Sequence, residues 1–166
     1  MRFAVVLSAL LVTTSCSEPA EDGPPLPPSN VVHWTATPEP ARPAPGGGSL
    51  IDVLLTASVQ SGWKVYSLTQ KGGGPVPMSV KLDSASQYEL AGEVRGPSVM
   101  RNLDPNFGIE TETYGSAPAF VVPIKIPPGA DTSRPIELKV RSQACSDRLC
   151  LPAQTRTVSV PITQGT

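Results

Sequence analysis

The sequence predicts an all-β fold, an immunoglobulin-like sandwich built from seven or eight short strands. Three observations predict it. Short apolar or alternating segments recur at roughly ten-residue spacing, which suits half-buried strands. Gly and Pro punctuate nearly all of them, at Gly62, Gly96-Pro97, Pro127-Pro128-Gly129 and Pro152. No stretch of a dozen residues shows helical periodicity free of Pro and Gly. With 20 Pro and 14 Gly in 166 residues, a helical bundle is ruled out, because both residues break helices.

The chain opens with Met1-Arg2, an apolar run to Val12, and then Thr13-Thr14-Ser15-Cys16. One positive charge, a short apolar run and a small-residue end describe a secretory signal peptide over residues 1–15. The run is too short for a membrane span, which needs about 20 apolar residues. Its end, directly before Cys16, resembles a bacterial lipoprotein signal, with Thr13 standing where that pattern usually has Leu. That resemblance makes Cys16 a lipidation candidate and the membrane a partner through a lipid anchor.

Residues 16–45 hold nine prolines, so residues 16–30 read as a stiff tether of polyproline character. The domain is expected over 31–166. A strand-like patch at 31–37 is its first strand, at an edge, and Gly46-Gly47-Gly48 forms a turn. Strands are then expected at 50–59, 63–68, 78–82, 88–94, 119–126, 136–142 and 155–162. The interval 96–118 has little strand character and is read as a long loop, of the kind that often carries function.

Composition narrows the function. With 13 Lys+Arg against 14 Asp+Glu the net charge is −1, so no basic field exists to grip nucleic acid. Three cysteines and one histidine argue against a closed four-ligand zinc site. His33 reads as a surface residue, and Met78 and Met100 as packing, so no metal and no cofactor is expected. Gly72-Gly73-Gly74 lacks the strand-to-helix context and the Lys-Ser/Thr of a phosphate loop, and reads as a turn.

The chemistry-bearing segment runs from Ser142 to Pro152, with four residues between Cys145 and Cys150. In an exported protein a disulfide is permitted. A closed loop of six residues stabilises by only about 2 kcal/mol in the chain-entropy model. A domain with a full apolar core hardly needs that, yet the spacing alone leaves structural and reactive readings open. Thiol–disulfide exchange needs an attackable sulfur and a second thiol near enough to resolve the mixed disulfide, and a short exposed loop supplies both. Arg148 would lower a neighbouring thiol pKa and Asp147 would raise it.

The stretch Gln143-Ala144-Cys145-Ser146-Asp147-Arg148-Leu149-Cys150-Leu151-Pro152 resembles that of the N-terminal periplasmic domain of the thiol:disulfide interchange protein DsbD. Gly62-Trp63-Lys64-Val65-Tyr66-Ser67 is similar to that family's Gly-aromatic-x-x-Tyr strand. Asn106-Phe107-Gly108 followed by Glu112-Thr113-Tyr114-Gly115 is similar to its cap-loop region, and Phe120-Val121-Val122-Pro123-Ile124 to the strand after it. The resemblance implies an immunoglobulin-like domain acting as a protein-disulfide reductase-type electron relay in the bacterial periplasm. Cys145 and Cys150 would be the redox pair, Cys150 forming the mixed disulfide and Cys145 resolving it. Phe107 would cap the disulfide, with Tyr66 and Asp104 lining the site. Partners would be thioredoxin-like periplasmic oxidoreductases and a separate membrane electron carrier. Two departures stand out: four residues separate the cysteines where the family has five, and Pro105 replaces an acidic residue beside Asp104. The competing reading is a non-catalytic binding sandwich with Cys145–Cys150 as a structural disulfide.

Overall fold

The computed structural model describes residues 31–162. The signal segment, Cys16 and the tether expected over 16–30 lie outside the described residues. Twelve strands follow in order: β1 (Val32–Pro38), β2 (Arg42–Pro43), β3 (Ser49–Val59), β4 (Lys64–Tyr66), β5 (Ser79–Leu82), β6 (Glu89–Leu90), β7 (Met100–Asp104), β8 (Ile109–Tyr114), β9 (Ala119–Ile126), β10 (Ile136–Ser142), β11 (Ala144–Cys145) and β12 (Gln154–Val160). Among the described residues there is no helix.

The strands form three antiparallel sheets. One runs β1-β3-β9-β6, with β2 also on β3; the second runs β12-β10-β5; the third runs β11-β4-β8-β7. Alternation explains why each strand faces as it does. Along β3, Ile51, Val53, Leu55, Ala57 and Val59 are buried while the residues between them are not. Along β10, Ile136, Leu138 and Val140 alternate with Glu137 and Lys139. A strand with period-two apolar residues can bury one face against another sheet and leave the other wet. The inner faces of all three sheets contribute to one apolar cluster. At its middle the Phe120 ring is fully buried, with Tyr114 edge-on at 5.0 Å and Trp34 at 6.1 Å. Full burial of a side chain of that size contributes about 1.5–3 kcal/mol.

Three predicted elements differ from the structure, each for a local reason. The expected strand at 88–94 shrinks to Glu89–Leu90, followed by an isolated bridge from Arg95 to Val121. Pro123 causes the break. Its carbonyl accepts the Ala91 N–H, so its ring nitrogen faces the same neighbour and has no hydrogen to give. The strand expected at 63–68 is regular only over Lys64–Tyr66: the Ser67 N–H still donates to the Glu112 carbonyl on β8, but the Ser67 carbonyl accepts the Gln70 and Met78 N–H groups, and the chain turns there. The interval 96–118, expected as a loop, contains the hairpin β7–β8. Four of the five β7 residues are exposed, so no apolar period marks that strand.

The tight turn between β2 and β3 needs glycine at position 48. Its φ is +75°, and a Cβ there would collide with the Ile126 carbonyl oxygen.

Candidate redox site

The site lies where the third sheet meets the end of β10. After Ser142 the chain turns at Gln143, and β11 then pairs with β4, Ala144 opposite Val65 and Cys145 opposite Lys64. Gln143 fixes that turn with both ends of its amide: Oε1 accepts the Val76 N–H at 2.8 Å, and Nε2 donates to the Leu151 carbonyl at 3.2 Å. The Leu151 N–H donates to the Ala144 carbonyl and the Ser146 N–H to the Leu149 carbonyl. Residues 145–150 therefore form a tight reversal in which Cys145 and Cys150 face each other as an antiparallel bridge. Their Cα atoms are 4.1 Å apart and the sulfurs are joined in a disulfide. Inside the reversal, Ser146 Oγ accepts the backbone N–H groups of Arg148 and Leu149.

The two cysteines are not equivalent. Cys145, held in a sheet, has 0% exposure, whereas Cys150 is partly exposed. Of the bonded pair, Cys150 is thus the residue that shows surface to solvent and Cys145 the one enclosed by the sheet.

The hairpin β7–β8 brings a turn over this loop. Asp104 organises the turn from its first position. Its carbonyl accepts the Gly108 N–H at 2.8 Å, its Oδ1 accepts the Asn106 N–H at 2.9 Å, and Gly108 supplies the positive φ, +67°, that closes it. The Asn106 amide also donates to the Ser146 carbonyl at 2.7 Å, so the turn touches the cysteine loop directly. Phe107 lies half-buried, edge-on to the Tyr66 ring at 6.1 Å.

Asp104 has no exposed side-chain surface. Its Oδ2 accepts the Tyr66 O–H at 2.7 Å and the Thr111 O–H at 3.4 Å, and lies 3.4 Å from Lys64 Nζ. Burial alone would raise its pKa. The Tyr66 and Asn106 donors and the Lys64 ammonium outweigh that and hold the carboxyl below its usual range. Tyr66 is shifted the other way: burial, then the hydrogen bond to and the charge of Asp104, keep it protonated well beyond ordinary tyrosine. The pair is thus a fixed donor on a fixed carboxylate, buried under the turn.

A second acid ties the base of the hairpin to the sheet. Glu112 on β8 accepts hydrogen bonds from Thr69 Oγ1 (2.6 Å), Ser67 Oγ (3.0 Å) and the Arg101 guanidinium (2.6 and 3.0 Å). These donors, Thr69 first, push its pKa down to about 2. A depressed acid contributes stability that is present above its unfolded value and lost as pH falls through the folded one. We expect the wild-type chain to lose stability between about pH 4.5 and 2. Glu112→Gln should lack this part of the loss, so the two denaturation midpoints should converge toward pH 2.

The sequence-predicted residues thus fall into one place. Cys145 and Cys150 are bonded, Tyr66 and Asp104 are hydrogen-bonded to each other, and Phe107 packs on Tyr66. Cys16 lies outside the described residues. His33 is exposed on β1, away from any of these contacts, and Met78 is buried in the core. The sequence assigns no role to Lys64 or Asn106; in the structure both join the turn to the cysteine loop.

The family profile described as "Thiol:disulfide interchange protein DsbD, N-terminal" matches residues 37–162, more than half of the chain. The chain belongs to the DsbD N-terminal domain family. Two solved structures share the fold. The reduced form of the Neisseria meningitidis DsbD N-terminal domain superposes with a TM-score of 0.52 at 16% identity, covering 84% of this chain and 92% of that one. The N-terminal periplasmic domain of ScsB from Proteus mirabilis gives a TM-score of 0.51 at 18% identity, covering 78% of this chain and 45% of that one. A search of curated proteins finds no match. The structural likeness agrees with the immunoglobulin-like sandwich predicted from strand spacing. The family is one of thiol:disulfide interchange proteins, and this chain holds a disulfide between Cys145 and Cys150. Among the described residues no helix is long and apolar enough to cross a membrane.

Proposed function

We propose that this chain is a periplasmic interchange module that relays two electrons between a thioredoxin-like donor and oxidised periplasmic proteins. The observation that carries the proposal is the unequal disulfide, Cys150 partly exposed and Cys145 buried, beneath a hairpin turn held by Asp104. In the first step a thiolate of the reduced donor attacks Cys150 Sγ. The Cys145–Cys150 bond breaks, Cys145 Sγ takes the electron pair, and a mixed disulfide forms. The donor's second thiolate displaces Cys150, leaving the donor oxidised and this chain a dithiol. The dithiol then reduces an acceptor by the same steps in reverse, Cys150 attacking and Cys145 resolving. Phe107 and the turn shield the disulfide until a partner displaces them. The periplasmic setting is supported by the ScsB domain's own description and by the signal-like residues 1–15. Lipidation at Cys16, with residues 16–30 as a tether, would hold the module at a membrane surface.

The reduction potential separates this reading from a structural bridge. A relay is expected above about −300 mV, and most structural disulfides lie below it. Equilibration of the full chain against dithiothreitol and glutathione buffers measures it. A value well below −300 mV would make Cys145–Cys150 a staple.

A further inference from the structure

We propose that Lys64 is a positioning residue that latches the hairpin turn onto the cysteine loop, so that release of its ammonium governs access to the disulfide. The inference rests on the reading above that Cys145–Cys150 is the reacting pair. Lys64 sits on β4 directly opposite Cys145, and directly opposed residues of an antiparallel pair project on one face. From there Nζ reaches one carboxylate on each of two separate segments. It lies 3.4 Å from Asp104 Oδ2, at the start of the turn, and 3.1 Å from Asp147 Oδ1, inside the cysteine loop. The Asn106 amide bonded to the Ser146 carbonyl is the one other side-chain hydrogen bond described between turn and loop.

The two halves of this latch differ in strength. The Asp147 side chain is 83% exposed, so water and salt screen its half. Asp104 is fully buried and the Lys64 side chain only 23% exposed, so the other half is formed largely out of water. Loss of the ammonium does more than remove two attractions. It leaves two carboxylates, one on each segment, sharing a small volume with no cation between them. Like charges so placed repel and favour separation of turn from loop. A lysine beside the disulfide therefore acts as a lock whose removal also loads the spring.

Reduction by dithiothreitol tests this without any protein partner, so its result stands apart from the success or failure of the relay. One dithiothreitol thiolate attacks Cys150 Sγ, the S–S bond breaks, and Cys145 Sγ leaves as the thiolate. The second dithiothreitol thiolate then displaces Cys150 and closes its own cyclic disulfide. The rate is read on the full oxidised chain by alkylating Cys145 and Cys150 and following their masses. Lys64→Gln should raise the rate about tenfold at low salt, the scale of a lost charge-assisted hydrogen bond. Lys64→Arg should return it to within about twofold of wild type, because the cation is restored. Added salt should speed reduction of wild type but not of Lys64→Gln. Asp147→Asn, an exposed change that leaves the core intact, should raise the rate about twofold. A Lys64→Gln chain reduced no faster than wild type, or an Arg variant as fast as the Gln one, would overturn the latch. If Lys64→Gln does not fold, wild type and Asp147→Asn decide alone: no salt effect and no change in rate contradict the proposal.

Discussion

Replacing Cys150 with alanine should abolish disulfide interchange, lowering the rate by at least about a thousandfold, as loss of a nucleophile does in enzymes generally. Cys150 is the partly exposed member of the pair, and Cys145 is buried and paired to β4. Cys145→Ala should behave differently. It keeps the reachable thiol and removes the group that resolves the mixed disulfide, so one covalent exchange proceeds and then stops. Both variants lose the same loop closure, about 2 kcal/mol in the chain-entropy model. Both should fold, because the apolar cluster around Phe120 does not depend on the loop. Multiple-turnover reduction of an oxidised periplasmic oxidoreductase, measured for each variant with a matched denaturation curve, separates loss of chemistry from loss of structure.

Replacing Asp104 with alanine should lower stability by about 2–3 kcal/mol, at the lower edge of what breaking a buried charge pair costs. Three consequences add up. The Tyr66 O–H loses its acceptor in a fully buried position. Asn106 loses both contacts to Oδ1 that shape the turn. Lys64 loses its buried carboxylate, but being 23% exposed it can turn to water, which holds the cost below the full range. Asp104→Asn keeps an acceptor of the same shape and should cost about 1 kcal/mol. Urea midpoints give the total, and hydrogen exchange at the Asn106, Phe107 and Gly108 amides locates it. These amides should exchange faster in Asp104→Ala while the β3 and β9 amides, on a different sheet, should keep their order of protection. As a contrast, Asp52→Asn breaks the exposed pair with Arg42 and should change stability by less than about 1 kcal/mol.

What the sequence could disclose follows from how each segment is buried. Strands β3, β9 and β10 carry apolar residues toward one core, so their patterns announce them. The β7–β8 hairpin leaves most of β7 wet, with Leu103 73% exposed, and its buried positions are Asp104, Thr111, Thr113 and, at the very end of β8, Tyr114. A strand whose inner face is polar has no hydrophobic period to detect. Strand β11 is two residues long, set by Gln143 and by pairing with β4, and nothing local in Ala144-Cys145 requires it. The cysteine pair itself was plain from spacing, and its reactive reading came from resemblance. The role of Lys64 was not accessible in the same way. A lysine next to Trp63 at the start of a strand reads as a solvent-facing residue. Only the fold brings it to Asp104, 40 positions away, and Asp147, 83 away.

The central claim is that Cys150 exchanges disulfides with a thioredoxin-like protein while Cys145 resolves. The most direct measurement is capture on the Cys145→Ala chain in the periplasm of the native host. Samples are acid-quenched and alkylated, and the complexes are released by reductant and identified by mass spectrometry. We expect a thioredoxin-like protein joined to Cys150 through its own active-site cysteine, absent from the Cys150→Ala control and sparse on wild type. A Cys145→Ala chain with no such adduct, or with the same adducts as Cys150→Ala, would contradict it.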